Sequence, residues 1–218
     1  MTVVARAAGT FGTRAVGWVR STPVTTGYLL ALVATTVLVH RLPPVTVHRL
    51  LVESSTNLHQ LDRVPLRVLV VSAFWVADGR VLPWLALLGV VGGLAERRFG
   101  SLRAAGIFVA GHVGATLLVA GGLVAALAVG VVHPSIIDMV DVGPSYGFAA
   151  LAGAVALCGS RRWRIWGLVA LAVWLVGSAS LAGDEGVATA GHVLAVGIGF
   201  LGEAVLRSRA VARGFPHP

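Results

Sequence analysis

The stretch GVATAGHVLAVGIGFLG, residues 186–202, contains no charged side chain over its 17 residues and includes one histidine, His192. A helix needs about 20 mostly apolar residues, and no fewer than about 17, to cross the hydrocarbon core of a bilayer. We therefore predict a membrane-spanning helix here and extend it to residue 206. Five other intervals lack charged residues: 22–39, 81–95, 104–125, 142–159 and 165–183. The sequence thus predicts an all-α membrane protein with six transmembrane helices in one domain, residues 22–206.

The composition excludes an ordinary soluble protein. The 218-residue chain is 56% hydrophobic and only 12% charged, whereas soluble domains carry about 25% charged residues. The net charge of +8 could indicate a nucleic-acid partner, but the arginines lie at the ends of the apolar intervals. We interpret them as topology determinants and contacts to lipid headgroups, so the expected partner is the lipid bilayer and not nucleic acid. The single cysteine, Cys158, excludes an intrachain disulfide.

The arginines also predict the orientation of the chain. Three of them lie in each of four segments: the N-terminal segment 1–21, the loop after the second span, the loop after the fourth span, and the tail 207–218. The loops after the third and fifth spans carry acidic residues instead, which are Asp138, Asp141, Asp184 and Glu185. By the positive-inside rule both termini are predicted to be cytoplasmic. We expect the protein in the bacterial cytoplasmic (inner) membrane.

The long first loop, residues 40–80, contains a seventh apolar run. Residues 68–77 are too few to span a bilayer. Together with the residues just before them they predict a re-entrant or interfacial helix over 64–77.

Ser145 and His192 are the candidates for chemistry. With this orientation both lie a few residues inside a span that begins at the outer face, at depths of about 5 and 9 Å for a rise of 1.5 Å per residue. A neutral histidine at that depth could act as general base for a serine nucleophile. The alternatives are a serine bonded to its own helix backbone and a histidine that only joins two helices.

Small residues flank both candidates. Gly191, Ala195 and Gly199 recur every four residues, which leaves one face of the last span nearly bare. Gly143 and Gly147 stand on either side of Ser145. Such residues allow helices in membranes to approach closely, so we predict that these four glycines serve helix packing.

Four motifs, and the order in which they follow one another along the chain, resemble those of the rhomboid family of intramembrane serine proteases. Gly143-x-Ser145 with Gly153-Ala154 looks like that family's nucleophile motif, and Gly191-His192 with Ala195 and Gly199 looks like its base-bearing span. The other two are Pro65-Leu66-Arg67 through Ser72-Ala73-Phe74 in the first loop, and Glu96-Arg97-Arg98-Phe99-Gly100-Ser101 after the second span. The resemblance covers about residues 60–205 and implies a six-helix bundle.

The resemblance implies a function and a mechanism. Ser145 would attack the scissile carbonyl, and His192 would take its proton and pass it to the leaving amine, with no cofactor. The expected substrate is a single-pass membrane protein cleaved near the outer membrane face. The alternative is a catalytically inactive relative that binds the transmembrane helices of client proteins. A small transporter or channel would require internal repeats or a continuous polar path, and the sequence has neither.

The chain departs from the family pattern at three positions. The second-span positions that usually hold His-x-x-x-Asn, which help to stabilise the oxyanion, hold Arg80 and Trp84. Tyr146 replaces the glycine that commonly follows the serine, and Ala149 replaces the aromatic residue that often stacks on the histidine. As oxyanion or accessory groups we consider Arg80, Asn57, His59 and Asp141. Asp141 could orient His192 or a water, or simply favour a helix N-terminus.

His112 is the remaining polar residue deep inside a span. It lies near the middle of the third span, between Gly111 and Gly114, and we predict that it makes an interhelical hydrogen bond. His112, His133 and His192 could be imagined as metal ligands together with Asp138 or Asp141. No local ligand spacing supports this, so no metal site is predicted.

Overall fold

The computed structural model describes residues 16–76, 81–181 and 186–212, and within these ranges the chain is helical without a β-strand. Residues 16–21 are helical. The α-helices that follow are α1 (Pro23–Arg41), α2 (Pro44–Ser54), α3 (Leu58–Arg63), α4 (Pro65–Val71), α5 (Val81–Phe99), α6 (Ser101–Ala128), α7 (Ser145–Ala156), α8 (Arg161–Leu181) and α9 (Val187–Ala212). Two 3-10 turns lie at Ser72–Phe74 and Pro134–Asp138.

Four of the six predicted spans coincide with helices that are long and apolar enough to cross a membrane. These are α1, α6, α9 and residues Arg161–Ser180 of α8. The predicted span 81–95 lies within α5, whose 19 residues end with a charged segment that includes Glu96. The sixth predicted span, 142–159, contains the shorter helix α7. The structure therefore supports an all-α membrane protein, while the count of six spans and the orientation stay predictions.

Helix α7 is the centre of the bundle, and it packs against α5, α6, α8 and α9. Its 12 residues, SYGFAALAGAVA, are mostly small, and nine of them are buried. Gly143 before it (φ +138°) and Gly159 after it (φ +82°) have backbone conformations that side chains rarely adopt. With 12 residues, α7 is about 18 Å long, short of the ~30 Å of a hydrocarbon core.

The first loop is largely helical. The predicted segment 64–77 contains α4 and the 3-10 turn Ser72–Phe74, whereas the stretch before it, which the sequence analysis treats as loop, forms α2 and α3. Helices α2 and α4 each begin at a proline, a residue suited to the first helical turn. Asn57 precedes α3, and its side-chain oxygen accepts a hydrogen bond from the Gln60 amide at 2.9 Å. Such local capping produces short helices that hydropathy does not reveal.

The turn between α5 and α6 anchors the start of α1. The carboxylate of Glu96, which is buried, accepts hydrogen bonds from the backbone amides of Val24 (2.9 Å) and Thr25 (2.8 Å). It also accepts one from the Ser101 hydroxyl at 2.7 Å. A carboxylate at a helix N-terminus satisfies amides that have no partner within the helix and complements the helix dipole. The motif 96–101 therefore ties α1, α5 and α6 together at one end of the bundle.

Candidate active site

Ser145 is the first residue of α7 and is half-buried. Pro144 caps the helix, and Gly143 turns the chain into it with a φ of +138°. The amide of Gly143 donates a hydrogen bond to the carbonyl oxygen of Ser72 at 2.9 Å. The serine therefore stands where a short loop, held by the first-loop segment, enters the central helix.

His192 lies in the first turns of α9 and is 7% exposed. Its ring is 5.5 Å from the ring of Tyr146 in an edge-to-face arrangement and 4.9 Å from that of Trp174. A Cβ atom at Gly191 would overlap the Tyr146 ring, so the absence of a side chain there lets α7 and α9 approach. The aromatic neighbours of His192 are thus Tyr146 on α7 and Trp174 on α8. Position 149, where the family often has the stacking aromatic residue, holds the buried Ala149.

A serine that the sequence analysis missed contacts the histidine. The Oγ of Ser178 on α8 lies 3.5 Å from Nδ1 of His192, the outer limit of a hydrogen bond. That hydroxyl donates its proton to the carbonyl oxygen of Leu175 at 2.9 Å. Because a hydroxyl has one proton and that of Ser178 goes to Leu175, the contact with His192 favours the ring tautomer that carries its proton on Nδ1. The other ring nitrogen, Nε2, is then the basic one.

The described residues show no hydrogen bond between Ser145 and His192. The two residues are nevertheless brought to one end of the α7–α9 contact, because Tyr146, next to Ser145, packs against the His192 ring. Hydrogen bonds between catalytic groups are often long before substrate binds.

Asp141 links the first loop to Tyr146. Its Oδ2 atom accepts hydrogen bonds from the hydroxyls of Thr56 (3.1 Å) and Tyr146 (3.4 Å). Its backbone is also held, because its amide donates to the Ser55 hydroxyl at 2.8 Å and its carbonyl accepts from the Thr56 amide at 2.9 Å. Asp141 therefore contacts the residue whose ring lies beside His192.

The other accessory candidates lie elsewhere or outside the described residues. The side chain of Asn57 is used to cap α3. His59 faces the 3-10 turn of the third loop, with its Nδ1 atom 3.8 Å from a carboxylate oxygen of Asp138. Among the described contacts neither residue bonds to Ser145. Arg80 lies outside the described residues.

The four singled-out glycines fall into two groups. A Cβ at Gly147 would stand 2.5 Å from the Phe108 ring, and one at Gly199 would overlap the backbone oxygen of Ala150. Gly191 is equally constrained by Tyr146. Gly143 differs, because its nearest neighbour would be a backbone oxygen 3.8 Å away, and what it provides is the positive φ. Three glycines therefore permit close packing and the fourth permits a turn.

A groove lies between α5, α7 and α8 and has a volume of about 720 Å³. Its lining is mainly apolar and includes Leu87, Val91, Phe148 and Trp174. Trp174 also contacts the His192 ring. The groove thus reaches the neighbourhood of the histidine from the side of the bundle.

His112 on α6 makes a hydrogen bond, and its partner lies in the first loop. Its Nε2 atom is 3.1 Å from the Oγ of Ser72, and both side chains are buried. The sequence predicts an interhelical hydrogen bond for His112, and this bond joins α6 to the 3-10 turn after α4. In the described part of the chain, no group of three or more His, Cys, Asp or Glu side chains could hold a metal ion.

Comparison with known proteins identifies a family. The family described as rhomboid-like proteins matches residues 17–212, nearly the whole chain. No curated protein and no solved structure matches the chain.

Proposed function

Because the chain belongs to the rhomboid-like protein family, we propose that it is an intramembrane serine protease in which Ser145 is the nucleophile and His192 the general base. One observation carries the proposal. The ring of Tyr146, the neighbour of Ser145, packs edge-to-face on His192 across a glycine contact between α7 and α9. This contact brings the serine-bearing end of the central helix to the only histidine on α9.

The proposed reaction has two steps. The Ser145 hydroxyl attacks the carbonyl carbon of the scissile peptide bond while its proton passes to Nε2 of His192. The imidazolium then protonates the leaving amine, and water hydrolyses the acyl-enzyme by the reverse proton path. Ser178 accepts the Nδ1–H of His192 in this scheme and so keeps Nε2 unprotonated, the orienting function that a carboxylate has in a serine protease triad.

The start of α7 suits the negative charge that develops during attack. The first amides of a helix have no acceptor within the helix, and the helix dipole is positive at that end. Ser145 is the first residue of α7, so its own amide is the donor we propose for the oxyanion. Arg80 stays a candidate for a second donor. A preorganised donor of this kind typically contributes about 10²–10³ in kcat.

We propose that the substrate is a single-pass membrane protein cleaved near the outer face of the bacterial cytoplasmic membrane, with both termini of the enzyme cytoplasmic. The arginine distribution supports this orientation. The apolar groove beside α5 and α8 supports lateral access, because Trp174 lines the groove and also contacts His192.

A non-catalytic function is the second candidate. The hydrogen bond recorded for the His192 ring goes to Ser178 and not to Ser145. A rhomboid-like protein that binds the transmembrane helices of client proteins would need the groove and the bundle but no activated serine. The two candidates therefore differ in the reactivity of a single hydroxyl.

Labelling of the detergent-solubilised protein with a fluorophosphonate serine probe tests the proposal. We expect labelling of the wild type, none with Ser145→Ala or His192→Ala, and wild-type labelling with Ser180→Ala. Ser180 is the matched control, because it is exposed on α8 and its hydroxyl bonds only to its own helix. A folded wild type that stays unlabelled, beside an active rhomboid protease that labels, would favour the client-binding function.

A further inference from the structure

The 3-10 turn Ser72–Phe74 connects three parts of the bundle. Its three consecutive carbonyl oxygens each accept a hydrogen bond from a different residue. That of Ser72 accepts from the Gly143 amide (2.9 Å), that of Ala73 from the Tyr28 hydroxyl (2.5 Å), and that of Phe74 from the Thr35 hydroxyl (2.7 Å). We call this turn the 72–74 junction. It joins α1 to the loop that leads into α7 and Ser145.

The side chain of Ser72 gives the junction a further attachment, to α6. Its Oγ lies 3.1 Å from Nε2 of His112, and the two residues are 0% and 4% exposed. A buried hydrogen bond in apolar surroundings is costly to break, because the remaining polar group cannot recover its bond from water. His112 therefore fixes the position of Ser72 from the opposite side of the junction.

We propose that His112 is a positioning residue for Ser145, a role that rests on the proposed function. His112 holds Ser72, and the carbonyl of Ser72 holds the amide of Gly143, two residues before the nucleophile. Glycine can adopt many backbone conformations, and Gly143 has one with a φ of +138°. An external hydrogen bond is needed to hold Gly143 in that conformation. The hydrogen bonds from His112 to Gly143 supply that restraint.

A neighbouring buried residue, Thr116, offers a control for substitutions at His112. Thr116 lies one turn further along α6, is 2% exposed, and its hydroxyl has no hydrogen-bond partner among the described residues. Removing that hydroxyl should therefore be neutral, since no bond is lost. Thr116→Val is an isosteric control for substitutions at His112.

The test compares substitutions that keep or remove the bond to Ser72. We expect His112→Leu and Ser72→Ala each to lower kinact, the limiting rate of fluorophosphonate labelling at Ser145, about tenfold with little change in probe affinity. The double variant should fall no further, because both changes break one connection. His112→Gln should recover most of the rate, since its amide reaches the position of Nε2, whereas the shorter His112→Asn should not.

Hydrogen exchange of the Gly143 amide gives a second readout that needs no activity. It should accelerate in His112→Leu, Ser72→Ala and His112→Asn and stay at the wild-type rate in His112→Gln and Thr116→Val. If the wild type does not label, the proposed protease function fails, and the exchange rates alone decide whether His112 restrains Gly143. Unchanged exchange in His112→Leu would overturn the inference. If that variant does not fold, equal exchange in His112→Gln and His112→Asn would overturn it.

Discussion

Two buried histidines of this bundle, His112 and His192, each contact a serine, yet their surroundings differ. His112 makes a 3.1 Å hydrogen bond to the fully buried Ser72. His192 stands between the rings of Tyr146 and Trp174, 3.5 Å from Ser178, and close to the half-buried Ser145. His112 lines an apolar pocket of about 310 Å³, but its Nε2 atom is taken up by Ser72, whereas Trp174 beside His192 lines the groove between α5, α7 and α8. The same residue types thus suit a restraint in one place and chemistry in the other.

The largest effect on labelling should come from adding a side chain at the contact between α7 and α9. We expect Gly191→Ala to reduce Ser145 labelling more than about 100-fold, because its Cβ would overlap the Tyr146 ring and overpacking displaces both helices. Gly197→Ala, on the same helix with open space at the Cβ position, should label like the wild type. Equal labelling of the two variants would show that the α7–α9 contact does not position the site.

Two substitutions of Tyr146 separate the effect of its ring from that of its hydroxyl. Tyr146→Leu removes the ring beside His192 and should lower the labelling rate about 30-fold, near 2 kcal/mol of lost orientation. Tyr146→Phe keeps the ring, removes the hydroxyl with its 3.4 Å bond to Asp141, and should cost about threefold. Labelling rates of both variants check this. A larger loss in Tyr146→Phe than in Tyr146→Leu would assign the function of Tyr146 to its hydroxyl.

The contact of Ser178 with His192 should have an intermediate effect. Ser178→Ala removes the oxygen 3.5 Å from Nδ1 of His192, so we expect the labelling rate to fall about tenfold, with a changed pH profile because the tautomer protonated at Nδ1 loses this acceptor. Ser180→Ala is the control on the same helix. A wild-type pH profile in Ser178→Ala would remove Ser178 from the mechanism.

The smallest effect on labelling should come from Asn57. Asn57→Ala removes the cap of α3 and should cost about 1 kcal/mol of stability, seen as a lower thermal midpoint. Labelling of the folded variant should stay within about twofold of the wild type. A 100-fold loss would instead indicate that Asn57 stabilises the oxyanion.

Much of the outline could be predicted before the structure. The charge-free intervals coincide with helices α1, α5, α6, α7, α8 and α9, because long apolar runs in membranes must satisfy their backbone groups as helices. The sequence predicts a close-packing role for Gly191 and Gly199, and a Cβ at either position would overlap α7. The helices α2 and α3 were missed, since they depend on proline and asparagine capping and not on a continuous apolar run.

Side-chain partners were harder to predict than helices. Tyr146 counted as a departure from the family pattern, and the structure instead packs its ring on His192. Asn57 was considered for the oxyanion, and its side chain caps a short helix. Ser178 was not considered, because a serine inside an apolar helix gives no signal of what it faces. The partners of Tyr146 and Ser178 depend on the rotation of one helix relative to another. The Asn57 cap is local, and it depends on where α3 begins.

By itself, the sequence determined that this chain is a helical membrane protein of the rhomboid-like family, with a serine and a histidine in two of its apolar segments. Hydropathy and motifs depend on residues that are close together in the sequence, so both can be read along the chain without the tertiary structure. Only the tertiary structure decided that α7 is short and central, that Tyr146 and Trp174 surround His192, and that His112 bonds to Ser72. Trp174 and Tyr146 are 18 and 46 positions from His192, and Ser72 is 40 positions from His112. Only the packing of the helices brings these residues together.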